Sequence, residues 1–346
     1  MTTLAIALAL GSGACAGGGG SAQPVSIPVP STAVPSTTST TAATTSSTVP
    51  PTTQPTGPPA PLTGVPDGDT DLSRPALAVK IDNHRDARPP AGIEFADLVF
   101  ESRAEGVTRF MAVFHSDTPE VLGPVRSSRT ADFSLLAALD RPLYGSSGGN
   151  PAVLSGLRDQ PVYALTAASE SVYYRESSRR APHNLFVDAN DLFALGSEDA
   201  TPPAPWFRYR NASDAVPGRA ASGEIVVSFR NSPIVGLEWD PALEGWARSQ
   251  DGDPHVTEAG ARIAPANVVI MVAKYKRSSA DPNSPELIST GEGDLFVLTA
   301  GSVVQGTWSR PDRSDKPTLT DENGAPILLT PGQTWILYPE AGSVTL

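Results

Sequence analysis

The chain has 346 residues, a net charge of -12 and an isoelectric point near 4.8. That balance argues against a nucleic-acid surface, which needs a basic face to displace counterions from phosphates. Cys15 is the sole cysteine, so no intrachain disulfide can staple the fold.

Leu4 to Leu10 is a short apolar run followed by Gly-Ser-Gly-Ala-Cys15, too short to span a bilayer. It reads as a lipoprotein signal, residues 1–15, with Cys15 as the lipidation site. Two departures stand out: Ser12 at the position where such signals usually carry Leu, and no Lys or Arg ahead of the run. Residues 16–66 carry no charge and are dominated by Gly, then Ser, Thr, Pro and Ala. Such a composition cannot bury enough apolar surface to fold, which predicts a disordered tether. Its reach is about 150 Å if fully polyproline-like and roughly 40 Å as a coil. Together the two segments predict an exported protein anchored to the outer face of the cytoplasmic membrane.

Charges begin at Asp67, which marks the start of an N-terminal mixed α/β domain over residues 67–200. Ala76 to Ile81 predicts a strand, with Asp82-Asn83-His84 in the loop at its carboxyl end. Asp97 to Glu101 and Val107 to His115 predict a hairpin. On the second of these strands Arg109 shares a face with Val107, Met111 and Val113 by period two, and an arginine there requires a carboxylate, Glu101 or Glu105. Gly123-Pro124-Val125 turns into Arg126-Ser127-Ser128-Arg129, and a helix follows through Leu139, capped by Ser128, Thr130 or Asp132. Two arginines beside a helix start form either an anion cradle or a plain cap paired to surface carboxylates. The turn from Gly145 to Asn150 matches G-x-S-x-G around Ser147, a nucleophile pattern in hydrolases, but reads more readily as a tight turn facing a ligand. Arg179 to Asn184 then precedes a strand at 185–187, and Asp188 caps a helix; His183 joins His84 as the two histidines with a role, while His115 and His255 are expected at the surface.

Residues 201–222 form a proline-rich linker. From 223 to 346, short apolar runs with Gly, Asp, Pro and Asn turns predict a mostly antiparallel β domain. The expected class is α+β, mixed domain first. Trp239, Trp246, Trp308 and Trp335 would be a sugar-stacking platform or, as packing statistics favour, core.

Several stretches, IDNHRDARP at 81–89, ADLVFE at 96–101, EGVTRFMAVF at 105–114, GPVRSSR at 123–129, RAPHNLF at 180–186, GEGDLFVLTAG at 291–301 and GQTWI at 332–336, resemble the YerB-like family. Its members are described as bacterial lipoproteins, and their function is not established. The resemblance covers roughly residues 70–345 and implies an envelope location and a two-part layout, but no reaction.

Three functions are consistent with these residues. The first is a non-catalytic binding protein that holds an anionic cell-wall glycan, a peptide or an envelope partner protein. Its cleft would be lined by Asp82, Asn83, His84, Arg88, Glu101, Arg109, Arg126, Ser127, Arg129, His183 and Asn184, with no cofactor and no metal. The second is a wall hydrolase or transferase using Asp82, His84, Glu101 and His183 as acid-base groups or metal ligands. The third is an ion-pair network that merely holds the strands.

Overall fold

The computed structural model describes residues 57–230 and 233–346; the signal segment, Cys15 and most of the tether lie outside the described residues. The apolar run after Pro75 becomes β1 (Leu77–Asp82), every residue of it buried. β2 (Leu98–Ala104) and β3 (Val107–Phe114) follow as a hairpin. Their turn is only Glu105-Gly106, both at positive φ, 48° and 81°. Two left-handed residues match the right-handed twist of paired strands, and Gly106 takes its share without strain.

α1 (Thr130–Leu136) is a short helix whose Asp132 carboxylate accepts the Arg129 amide. β4 (Leu143–Ser146) leads into α2 (Pro151–Arg158), which has Pro at its start and Asn150 Oδ1 accepting the Val153 amide, both favourable at a helix N-terminus. β5 (Tyr163–Thr166) and α3 (Ala189–Ala194), capped as expected by Asp188, complete this half. Strands then prevail: β6 (Ile225–Ser228), β7 (Ile234–Asp240), β8 (Gly245–Gln250), β9 (Asn267–Met271), β10 (Gly291–Thr299), β11 (Ser302–Arg310), β12 (Thr318–Asp321) and β13 (Thr334–Leu337), with Lys274–Arg277 and Pro285–Ile288 pairing apart from them.

These strands do not segregate by half. The main sheet runs β12–β11–β10–β9–β13–β2–β3–β1–β4–β5. It is mixed: β9–β13, β13–β2, β1–β4 and β4–β5 are parallel and the remaining pairs antiparallel. β13 places Trp335 opposite Val99 and Leu337 opposite Glu101, stitching the C-terminal strands to the N-terminal hairpin. A second, antiparallel sheet contains β8, β7 and β6 flanked by the two-residue strands Asp253–Pro254 and Val344–Thr345. The described residues are therefore dominated by strands, with three short α-helices among them. The expected α/β character of the first half is not confirmed: α1 and α2 connect its strands, but they are only seven and eight residues long and strand predominates.

Period-two alternation gives the main sheet two buried faces. Val79, Ile81, Val99, Phe110, Ala112 and Trp335 pack with Ile225, Val227, Leu237 and Trp246 of the second sheet. Ala78, Phe100, Met111 and Val113 pack with Leu135 and Leu136 of α1, Trp206 and Trp308 on the opposite side. Trp246, Trp308 and Trp335 are buried and Trp239 stacks edge-on against Trp246, so the tryptophans are core, not a platform.

The folded region starts earlier than the change in charge suggests. Pro59 bridges Pro66, Leu62 is fully buried, and Tyr209 donates to the Leu62 carbonyl. Composition alone assigns residues 58–66 to the tether, because prolines need no N–H partner and one leucine is an inconspicuous anchor.

Candidate functional site

The sheet's alternation divides the predicted site residues between two opposite faces. On the α1 side, Asp82 ends β1, buried. Its Oδ2 receives the His183 Nδ1 contact at 2.7 Å and lies 3.1 Å from Arg126 Nε, while its Oδ1 accepts the His84 amide at 3.0 Å. The His84 and His183 rings stack with centroids 4.6 Å apart and planes 13° from parallel. His84 Nδ1 also accepts the Asp86 amide, closing the turn Arg85–Ala87. Ligand atoms of His84, Asp86 and His183 lie within 4.8 Å of one another, a constellation that could hold a cation.

Arg109 points to the same side, as its alternation with Met111 requires. It pairs with Glu105 Oε2 at 2.5 Å and donates to the Ser127 carbonyl at 3.3 Å. Arg129 meets the other Glu105 oxygen, contacts Asp281 at 3.0 Å and donates to the Ser128 carbonyl. Of the two carboxylates expected to serve Arg109, the turn residue Glu105 does so. Burial alone would raise the Glu105 pKa, but Arg109 and Arg129 outweigh it and hold the carboxyl below its usual range. Three guanidinium groups here, of Arg109, Arg126 and Arg129, face three carboxylates, of Asp82, Glu105 and Asp281, so the cluster is charge-balanced without a ligand. The start of α1 is no open anion cradle: the helix has seven residues and the Arg129 amide is taken by Asp132. Asp132 also pairs with the buried Lys80 at 2.5 Å and accepts from Tyr144. Burial pushes the Lys80 ammonium down from its usual range, opposed by Asp132. Ser147 meets Ser127, hydroxyl to hydroxyl, at 3.1 Å, and no base joins that pair among the described contacts.

Glu101 alternates with Phe100, so it projects toward the second sheet, away from Arg109. There it is fully buried and paired with Arg248 of β8, whose Nη2 reaches both carboxylate oxygens at 3.1 and 3.0 Å. Thr108 donates to Glu101 at 2.7 Å and receives the Asn83 amide at 2.7 Å. Arg248 also donates to Gln250 at 2.7 Å and to His255 Nδ1. His255 and His115 are thus buried rather than at the surface; His115 Nε2 lies 3.1 Å from the Arg74 carbonyl. Arg88 pairs with Asp251 at 3.2 Å. Asn184 belongs to neither cluster: it accepts from Arg175 and donates to the Glu176 and Arg179 carbonyls, fixing the loop that carries His183. Arg248 and Gln250 escaped the sequence reading because they sit about 150 residues from Glu101, where no local pattern links them.

The chain belongs to a family of proteins of unknown function, DUF3048: residues 62–201 match its N-terminal domain and 225–336 its C-terminal domain. Among its relatives is "Putative lipoprotein YerB" of Bacillus subtilis (strain 168), 28% identical over 302 residues, 83% of this chain and 88% of that one. The crystal structure of YerB protein from Bacillus subtilis matches with a TM-score of 0.72 at 25% identity, covering 83% of this chain and 98% of that chain.

Proposed function

We propose that this protein is an exported lipoprotein, anchored by a lipid on Cys15, that binds rather than transforms an anionic cell-wall glycan or peptide. The name of the Bacillus relative and the short apolar run before Cys15 support the anchor. No helix among the described residues is long and apolar enough to cross a membrane. The binding element is the group of Asp82, Arg126 and His183 with the neighbouring His84. One observation carries this reading: these residues, from three separate segments, meet at the carboxyl end of β1, which runs parallel to β4, the place where sheets of this kind receive ligands. With Nδ1 engaged by Asp82, Nε2 of His183 is the ring atom left for a ligand, and Arg126, which meets Asp82 through Nε, offers the donors of its two Nη groups.

The test is co-sedimentation of the Cys15→Ser chain with purified wall sacculi. Arg126→Ala and His183→Ala should each weaken binding about tenfold with the fold retained, the loss of one charge-assisted contact. Unchanged binding in both variants would remove the site from this role.

A second reading rests on the His84, Asp86 and His183 constellation. Asp82 behind His183 Nδ1 is the carboxylate–imidazole arrangement that orients metal-bound histidines, and a bound divalent cation would activate water for hydrolysis of a wall polymer. Glu101 takes no part in it, being on the other face of the sheet. Metal analysis of the protein after incubation with zinc or manganese and desalting, against His84→Ala, decides between the two readings.

A further inference from the structure

A cavity of about 530 Å³ lies between the turn carrying Arg85 and Arg88 and the end of β8 with the segment after it, lined also by Gln250, Asp251, Asp253 and His255. Three of the residues that line it each carry a buried nitrogen without a partner. Arg88 Nε, Gln250 Nε2 and His255 Nε2 have no hydrogen-bond partner among the described residues. All three are donors, and for two of them the neighbouring Arg248 dictates it. A guanidinium only donates, so Gln250 must turn Oε1 toward Arg248 and leave its NH2 on the other side. For the same reason His255 Nδ1 must accept, which places the ring proton on Nε2. Burial, then the positive charges of Arg248 and Arg88, depress the His255 pKa and keep the ring neutral, as that tautomer requires. An unpaired buried donor keeps its full desolvation penalty, and such atoms ordinarily have a partner. The missing partner is an acceptor.

The rim carries the opposite chemistry. Asp251 and Asp253 are exposed carboxylates, and Asp251 is already engaged by Arg88. Asp253 is left to receive a donor. An acceptor-seeking interior with a carboxylate at the mouth matches a molecule with a carboxylate at one end and an ammonium close by.

We infer that the cavity between the Arg85–Arg88 turn and Gln250–His255 binds an amino-acid-type zwitterion, a free amino acid or the end of a short peptide. Its carboxylate takes Arg88, Gln250 and His255, and its ammonium faces Asp253. The volume admits a free amino acid with room to spare and accommodates the end of a short peptide. One wall is the Arg85–Arg88 turn that His84 caps, but Asp82, Arg126 and His183 do not line the cavity, so Arg126→Ala tests the wall-binding reading and Gln250→Glu tests this one.

The test uses the Cys15→Ser full chain labelled with ¹⁵N and titrated with alanine, alanylalanine and acetate, reading the His255 Nε2 and Gln250 side-chain resonances. Alanine or alanylalanine should shift both saturably, acetate at least tenfold more weakly; whichever binds tighter separates the free amino acid from the peptide end. Gln250→Glu keeps an oxygen for Arg248 but replaces the free donor by an acceptor, and should abolish the response to every probe. Asp253→Asn, on the surface, should weaken the zwitterions about tenfold and leave acetate unchanged. Absence of a saturable shift with any probe at millimolar concentration, or wild-type affinity in Gln250→Glu, overturns the inference.

Discussion

Arg248→Met is the perturbation whose cost the structure fixes most tightly. Arg248 is fully buried between the two sheets, donates to both oxygens of Glu101, to Gln250 and to His255, and lies over the Phe110 and Trp335 rings at 5.5 and 5.1 Å. Methionine would keep much of the aliphatic packing but leave the Glu101 carboxylate buried, with only Thr108 at 2.7 Å and Asn83 at 3.5 Å. Removing one member of a buried pair costs about 3–5 kcal/mol, since the survivor keeps its desolvation penalty. Removing both, as Glu101→Leu with Arg248→Met, should cost far less, because the surroundings are Val99, Phe110 and Trp335 and apolar replacements of buried pairs are often neutral. The expected coupling is therefore roughly 2–3 kcal/mol in favour of the double variant over the sum of the singles. Urea unfolding followed by tryptophan fluorescence measures it, and Trp335 reports from beside the pair. Strict additivity, or a single-variant cost below about 1 kcal/mol, would refute the view that this pair holds the two sheets together.

Asp97 should give the stability curve an unusual slope. Burial raises its pKa to about 6, even though His115, Ser116 and Arg74 favour the charged form. A raised carboxyl pKa contributes stability that is complete below the unfolded value near 4 and lost as pH rises through about 6, up to ~3 kcal/mol. Comparison of melting temperature against pH for the wild type and Asp97→Asn should show that this component disappears in the variant; a component of opposite sign would mean Asp97 is ionised when folded. Gly306 opposes Asp321 across β11 and β12, and a Cβ there would sit 1.9 Å from the Thr320 carbonyl oxygen. Gly306→Ala should therefore cost about 1–3 kcal/mol and speed amide exchange in β12, and unchanged exchange would argue against that pairing.

Local patterns carried the sequence reading where the physics is local. β1, the β2–β3 hairpin and the two faces of β3 follow from alternation, and the Glu105–Arg109 pair follows because a turn residue can reach around the strand edge. The division of the candidate residues was not legible in the same way. Glu101 and Arg109 belong to one hairpin but face opposite layers, and which layer each meets depends on β13 and β8, both far away in sequence. Short buried stretches such as Thr334–Leu337 look alike whether they join a neighbouring strand or one from the other half. Parallel pairing of β13 with β2 leaves no turn to announce it. His255 misled for a related reason, since its Gly-Asp-Pro surroundings are those of a surface loop although its ring is enclosed beside Arg248.

¹⁵N spectra of the Cys15→Ser chain titrated with a soluble muropeptide probe the ligand site proposed at the carboxyl end of β1. A ligand held there shifts the His183 and His84 ring nitrogens and the amides from Asp82 to His84 and Arg126 to Ser127 saturably, and the shifts are absent in Arg126→Ala. Saturable shifts confined to other parts of the molecule, or none at millimolar muropeptide, would contradict it.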